Sequence, residues 1–159
     1  MEKTHTNGVT LPSPTTQEEM AARRRGAQWA RAVVTEAMSR PVLTIDVSES
    51  LWDAWQLLSV SGLRHLAVVD DGVCMGVISD RMLLTDVPVA EERLRVRGVG
   101  ELLSRAPVRH VLDTAPLAEV ARTMARYSAE AVPVLDAQAR LIGIVTGSDL
   151  VRWWADDGS

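Results

Sequence analysis

The chain contains no phenylalanine, one tyrosine, one cysteine and, at Lys3, a single lysine. Aromatic residues make up 4% of it and are nearly all tryptophan, so aliphatic side chains have to fill any core. The lone cysteine, Cys74, excludes an intramolecular disulfide and a thiolate metal cage, and it fits a reducing compartment. No apolar run approaches the roughly 20 residues that span a bilayer. The first residues are polar, without the apolar core of a signal peptide. The expectation is a soluble, cytoplasmic protein with no membrane partner. Twenty-one acidic against seventeen basic residues leave a net charge of −4, which disfavours nucleic acid as a partner. His5, His65 and His110 are scattered without metal-ligand spacing. Neither a nucleophile elbow nor a P-loop pattern occurs. No catalytic residue, metal ligand or required cofactor is therefore expected, and the chain does not read as an enzyme.

What is present is 159 residues, 47% apolar and 24% charged, enough for one compact domain or two small fused units. Residues 1–18 carry turn formers without periodic apolar positions and read as a flexible tail. Residues 19–38 read as a helix: Thr15 or Thr16 can cap it, Glu18 and Glu19 suit its first turn, and Met20, Ala27, Ala30, Val34 and Ala37 suggest one face. Pro41 disfavours helix just before it. Arg23, Arg24 and Arg25 on this helix either touch phosphates or form a solvated face beside the two glutamates.

An internal repeat organises the rest. A shift of 66 residues lays Pro41-Val42 on Pro107-Val108, Leu51 on Leu117, and Leu66-Ala67-Val68-Val69-Asp70 on Val132-Pro133-Val134-Leu135-Asp136. One residue is then inserted, where Asp71-Gly72 faces Ala137 to Arg140, a turn that tolerates a length change. Beyond it, Gly76-Val77-Ile78-Ser79 falls on Gly143-Ile144-Val145-Thr146. Each copy, 39–87 and 99–155, reads as strand, helix, two strands and helix. Residues 88–98 form a linker and 156–159 a short tail. Val42 to Val47, His65 to Val69 and Val73 to Ile78 are the expected strands of the first copy, with a helix from Leu51 capped by Ser48 or Ser50 and another from Asp80. The second copy expects Val108 to Leu112, Leu117 to Tyr127, Ala131 to Leu135, Leu141 to Val145 and a helix from Gly147 through Trp154. Trp153 and Trp154 are about 100° apart on that helix, so they cannot both face one core. One is expected to meet the N-terminal helix or a partner subunit.

The two βαββα copies, with endings Gly76-Val77-Ile78-Ser79-Asp80 and Gly143-Ile144-Val145-Thr146-Gly147-Ser148-Asp149, resemble a tandem pair of CBS (cystathionine β-synthase type) domains over roughly residues 33 to 154. The resemblance implies a mixed α/β (α+β) fold of two repeats about a pseudo-twofold axis, with an added N-terminal helix, usually dimerising into a disk. It also implies a regulatory module that binds an adenine nucleotide or another adenosyl ligand, such as S-adenosylmethionine, between the repeats and acts on a partner protein.

Such a ligand presents a ribose diol, which a carboxylate can accept, and often a phosphate, which helix N-terminal N–H groups can bind. By similarity, Asp149 holds the ribose while Thr146 and Ser148 line the ribose or the phosphate end. Gly147 allows close approach and Val145 leads in from the strand. The same resemblance sets Pro41, Val42, Leu43, Leu63, Arg64 and His65 opposite them, the aliphatic side chains for adenine and the two cations for phosphate. Thr146-x-x-Asp149 is equally a helix-capping box with no ligand duty, and Arg64 and His65 equally begin an edge strand. At the position of Asp149 the first copy has Met82, beside Ser79, and a thioether is a poor acceptor for a diol. Glu130 is expected in that second cleft, repelling phosphate, so one competent and one degenerate cleft are anticipated. The competing reading is a ligand-independent dimeric scaffold whose clefts are filled by side chains.

Overall fold

The computed structural model describes residues 16–86, 90–103 and 108–156. Of the flexible tail expected over 1–18, residues 1–15 lie outside the described residues, and 16–18 are instead the first residues of a helix. The N-terminal helix α1 runs Thr16–Trp29, starting earlier and ending sooner than the sequence pattern suggests. It buries none of its residues, and Met20 is exposed. The expected helical face is split: Val34 is fully buried but lies in a separate short helical turn, Val34–Glu36.

The first repeat comprises β1 (Thr44–Asp46), α2 (Leu51–Ser61), β2 (His65–Asp70), β3 (Val73–Ser79) and α3 (Asp80–Asp86). A short helix, α4 (Glu91–Val96), sits within the expected linker and buries Leu94 in the first repeat's core. A second short helical turn, Val99–Leu102, leads to β4 (Val111–Leu112), α5 (Leu117–Tyr127), β5 (Ala131–Leu135), β6 (Leu141–Thr146) and α6 (Gly147–Asp156). Each repeat builds a three-stranded sheet with one parallel and one antiparallel pairing, in the orders β1-β2-β3 and β4-β5-β6. The two sheets meet where β3 approaches β5.

Local chemistry accounts for these boundaries. Ser50 caps α2 by accepting from the Asp53 N–H, Asp53 returns a bond to the Ser50 N–H, and Gly62 ends the helix with φ +67°. Between β2 and β3, Asp71 and Gly72 both take positive φ, as a tight two-residue hairpin requires.

The segments leading into the repeats are exchanged. The Val34 N–H donates to the Ala115 carbonyl and the Leu117 N–H to Ala32, tying the approach to the first repeat onto the second. Reciprocally, the Val99 N–H donates to Glu49 and the Leu51 N–H to Arg97. Glu36 and Glu101 brace the two turns alike, accepting from the Val33 and Gly98 N–H groups. Consequently Ala32, Val34 and Met38 belong to the core of the second repeat, and Leu94 and Val99 to that of the first. Neither repeat completes its core without residues that precede the other in the chain.

Candidate ligand site

Two clefts open between the repeats. The larger, about 660 Å³, brings Asp149, Thr146, Gly147 and Ser148 at the start of α6 against Pro41, Val42 and Leu43 before β1 and Leu63, Arg64 and His65 at the start of β2. That volume lies within the range of small-molecule sites. Ser39, Arg40 and Arg152 also line it, and sequence reasoning did not place them there. Arg152 was within reach of that reasoning, since it lies three residues beyond Asp149 on one helix face. Ser39 was not: it arrives through a paired bridge in which Ser39 and Ile144 exchange both backbone hydrogen bonds.

Val145 does not line this cleft. It is fully buried in the second repeat's core, because successive β6 side chains point to opposite faces, and Ile144 is the β6 residue beside Thr146 that reaches the cleft.

Asp149 is 5% exposed, and its carboxylate is fully engaged. Oδ2 accepts from the Thr146 N–H and hydroxyl, each at 2.8 Å. Oδ1 accepts from Ser39 Oγ and Arg152 Nη1, each at 3.2 Å. The Asp149 N–H donates to Thr146 Oγ1, which closes a capping box. The Gly147 N–H donates to the Glu130 carbonyl, so two of the first N–H groups of α6 already have partners. The donors this cleft can offer an anion are consequently side chains more than the helix end. A Cβ on Gly147 would meet nothing within 4 Å, so the backbone faces open space.

The opposite cleft, about 400 Å³, is lined by Ser79, Met82, Arg81 and Ala129 to Ala131. Ser79 Oγ accepts from the Met82 N–H at 3.2 Å, half of the capping box seen at α6; the thioether cannot return the other half. The expectation that Glu130 belongs to this cleft alone needs correction, because both Glu130 and His65 line both clefts. Nor is Glu130 a bare repulsive charge, for Arg81 Nη1 donates to it at 2.8 Å. The asymmetry between the clefts rests on Met82 against Asp149.

His65 stands at this junction with Nε2 buried, without a hydrogen bond and 3.8 Å from Glu130 Oε2. Burial lowers its pKa, and the Glu130 charge opposes that shift in part. Arg64, largely exposed, pairs with Asp80 at 3.3 Å. His110 is exposed, and Cys74 is buried, which raises its thiol pKa. Among the described residues no group of His, Cys, Asp and Glu could hold a metal ion, and no helix is long and apolar enough to cross a membrane. A roomier groove of about 790 Å³ along α2 carries Asp46, Glu49 and Asp53 with no cationic side chain, so it does not suit an anion.

The CBS domain family pattern matches residues 34–88 and 99–156. The chain belongs to the CBS domain family. A CBS domain-containing protein of Dictyostelium discoideum is 35% identical over 131 residues, covering 76% of this chain and 90% of the relative. Other curated relatives are longer, and the chain spans 23% of an L-aspartate semialdehyde sulfurtransferase from Methanocaldococcus jannaschii, which it matches at 29% identity over 76% of its own length. Among solved structures, the CBS domain pair of protein MJ0100, in complex with 5-methylthioadenosine and S-adenosyl-L-methionine, superposes with a TM-score of 0.68 at 27% identity, covering 79% of this chain and 98% of that one. CBSX2 of Arabidopsis thaliana in complex with AMP gives a TM-score of 0.67 at 28% identity, covering 80% of this chain and 99% of that one. The CBS pair of the present chain thus has the fold of pairs that bind adenosyl compounds.

Proposed function

We propose that this CBS pair is a regulatory module that binds an adenine nucleotide or related adenosyl ligand in the larger cleft and modulates a partner protein through that occupancy. The observation that carries the reading is the convergence of three ligand-suited surfaces in one cavity. Asp149 offers a carboxylate for a ribose diol, Val42, Leu43, Leu63 and Ile144 offer apolar surface for a base, and Arg40, Arg64 and Arg152 offer guanidinium groups for a phosphate. The opposite cleft has Met82 in place of the carboxylate and is the degenerate one. Self-association belongs to the same reading, as does a regulatory rather than catalytic role. Signalling requires that the ligand favour one conformation or assembly over another.

A second reading has its own support. The four hydrogen bonds already made to Asp149 are what a purely structural helix cap would show, which suits a ligand-independent dimeric scaffold. Thermal denaturation with ATP, ADP, AMP, S-adenosylmethionine and NAD separates the two. A ligand at 100 times its dissociation constant adds about 2.7 kcal/mol of stability. No shift with any of these compounds would leave the scaffold.

A further inference from the structure

The carboxylate of Asp149 has about four acceptor positions, and each has a donor. The two on Oδ2 come from Thr146 and belong to the helix start itself. The two on Oδ1 come from side chains, Ser39 across the cleft and Arg152 one turn along α6. A ribose hydroxyl can reach Asp149 only by taking the place of one of these, and the Arg152 side chain, 66% exposed, is the freer to move. A guanidinium displaced from its carboxylate loses a charge-assisted hydrogen bond. Within the cleft Arg40 and Arg64 carry the same sign and Glu130 is already held by Arg81; Glu36 and Asp156, which share a side pocket with Arg152, lie outside the cleft, and Glu36 already accepts from the Val33 N–H.

We infer that Arg152 is the specificity-determining residue of the larger cleft: it holds the Asp149 carboxylate and turns to the ligand's phosphate when ribose displaces it. This rests on the nucleotide reading above and adds a selection rule. A nucleoside without phosphate displaces Arg152 and returns nothing. A nucleotide supplies an anion to the released guanidinium inside the cleft, and Arg40 and Arg64 line the same cavity and can share it. The class of ligand is accordingly a phosphorylated adenosine, in preference to adenosine or a sulfonium-bearing adenosyl compound that would add positive charge.

Titration calorimetry with adenosine, AMP, ADP and S-adenosylmethionine on the wild-type chain, Arg152→Ala and Arg152→Lys tests this at one fixed salt concentration. The wild type is expected to prefer AMP or ADP over adenosine by about tenfold or more, the value of one hydrogen bond to a charged group. Arg152→Ala should collapse that ratio from both sides, by weakening the nucleotides and by tightening adenosine. Arg152→Lys, which keeps the charge, should restore most of the ratio. A wild-type preference that Arg152→Ala leaves unchanged, or a uniform loss for all four compounds, overturns the inference while the nucleotide site stands. Binding of none of the four compounds to any of the proteins overturns the nucleotide reading and the inference with it.

Discussion

Gly143 on β6 lies directly against Met38, the residue that closes the lead-in to the first repeat: a Cβ added at Gly143 would stand 3.0 Å from Met38 Cγ and closer still to its sulfur. The pseudo-equivalent pair is Gly76 and Leu103, where a Cβ would stand 3.0 Å from Leu103 Cδ2. Each repeat thus keeps a glycine on its last strand so that a side chain from the exchanged lead-in can pack there. Gly143→Ala should destabilise the chain by about 1–3 kcal/mol through overpacking. Combining it with Met38→Ala should cost less than the sum of the two single substitutions. Urea denaturation of the four proteins in that cycle measures the coupling, and strict additivity would show that the two residues do not press on one another.

Asp149 should matter to stability before any ligand is added. Asp149→Ala leaves the Thr146 N–H without its partner and removes the carboxylate half of the capping box, an expected loss of about 2 kcal/mol. Met82→Ala, at the matching position of the first repeat, removes no such cap. Under the proposed function Asp149→Ala also abolishes the nucleotide-induced thermal shift, whereas Met82→Ala retains it. The shift must be read against each variant's own ligand-free transition.

Stability should fall as pH drops below about 6.5, and His65 should be responsible. Its folded-state pKa lies below the ordinary 6.5, chiefly because burial disfavours the imidazolium. The folded protein then binds fewer protons than the unfolded chain, so the stabilisation is complete above pH 6.5 and is lost as pH drops through the lowered value. The charges facing His65 are Glu130 and Asp80, which favour protonation, and Arg64, which opposes it. The carboxylates with lowered pKa values, Asp46, Asp53, Asp136 and Glu101, start from 3.8 or 4.5 and do not titrate in this window. Urea midpoints across the window should lose most of their slope in His65→Gln. They should steepen in Glu130→Gln, where the charge that supports the imidazolium is gone. An unchanged slope in both variants would contradict this assignment.

Trp29 anchors α1 by packing against Trp153 and Trp154 at ring separations of 5.6 and 5.7 Å. α1 buries none of its residues, and these ring contacts give it apolar packing on α6. Trp29→Ala should release the helix at a cost of roughly 1 kcal/mol. Amide exchange should accelerate across Thr16–Trp29 while the strands of both repeats keep their protection. Equal acceleration in β2 and β5 would mean that α1 is integral to the fold.

The repeat and its elements were legible in the sequence because they depend on near neighbours in the chain. Hydrophobic period, caps and turn residues located α5 at Leu117–Tyr127 and β5 at Ala131–Leu135 as expected, and they explain why Met82 and Asp149 occupy matching positions. Resemblance to known CBS pairs then suggested which segments face Asp149. Tertiary packing alone decided the rest. The helix expected over 19–38 stops at Trp29 because Val34 and Met38 are drawn into the second repeat's core, a gain no local pattern records. Packing also set Glu130 and His65 between both clefts, turned Val145 inward, and brought Ser39 to Asp149 across 110 residues of chain. Sequence periodicity specifies which face of an element is apolar. Which distant side chain completes a hydrogen bond at that face follows from how the two repeats close on each other.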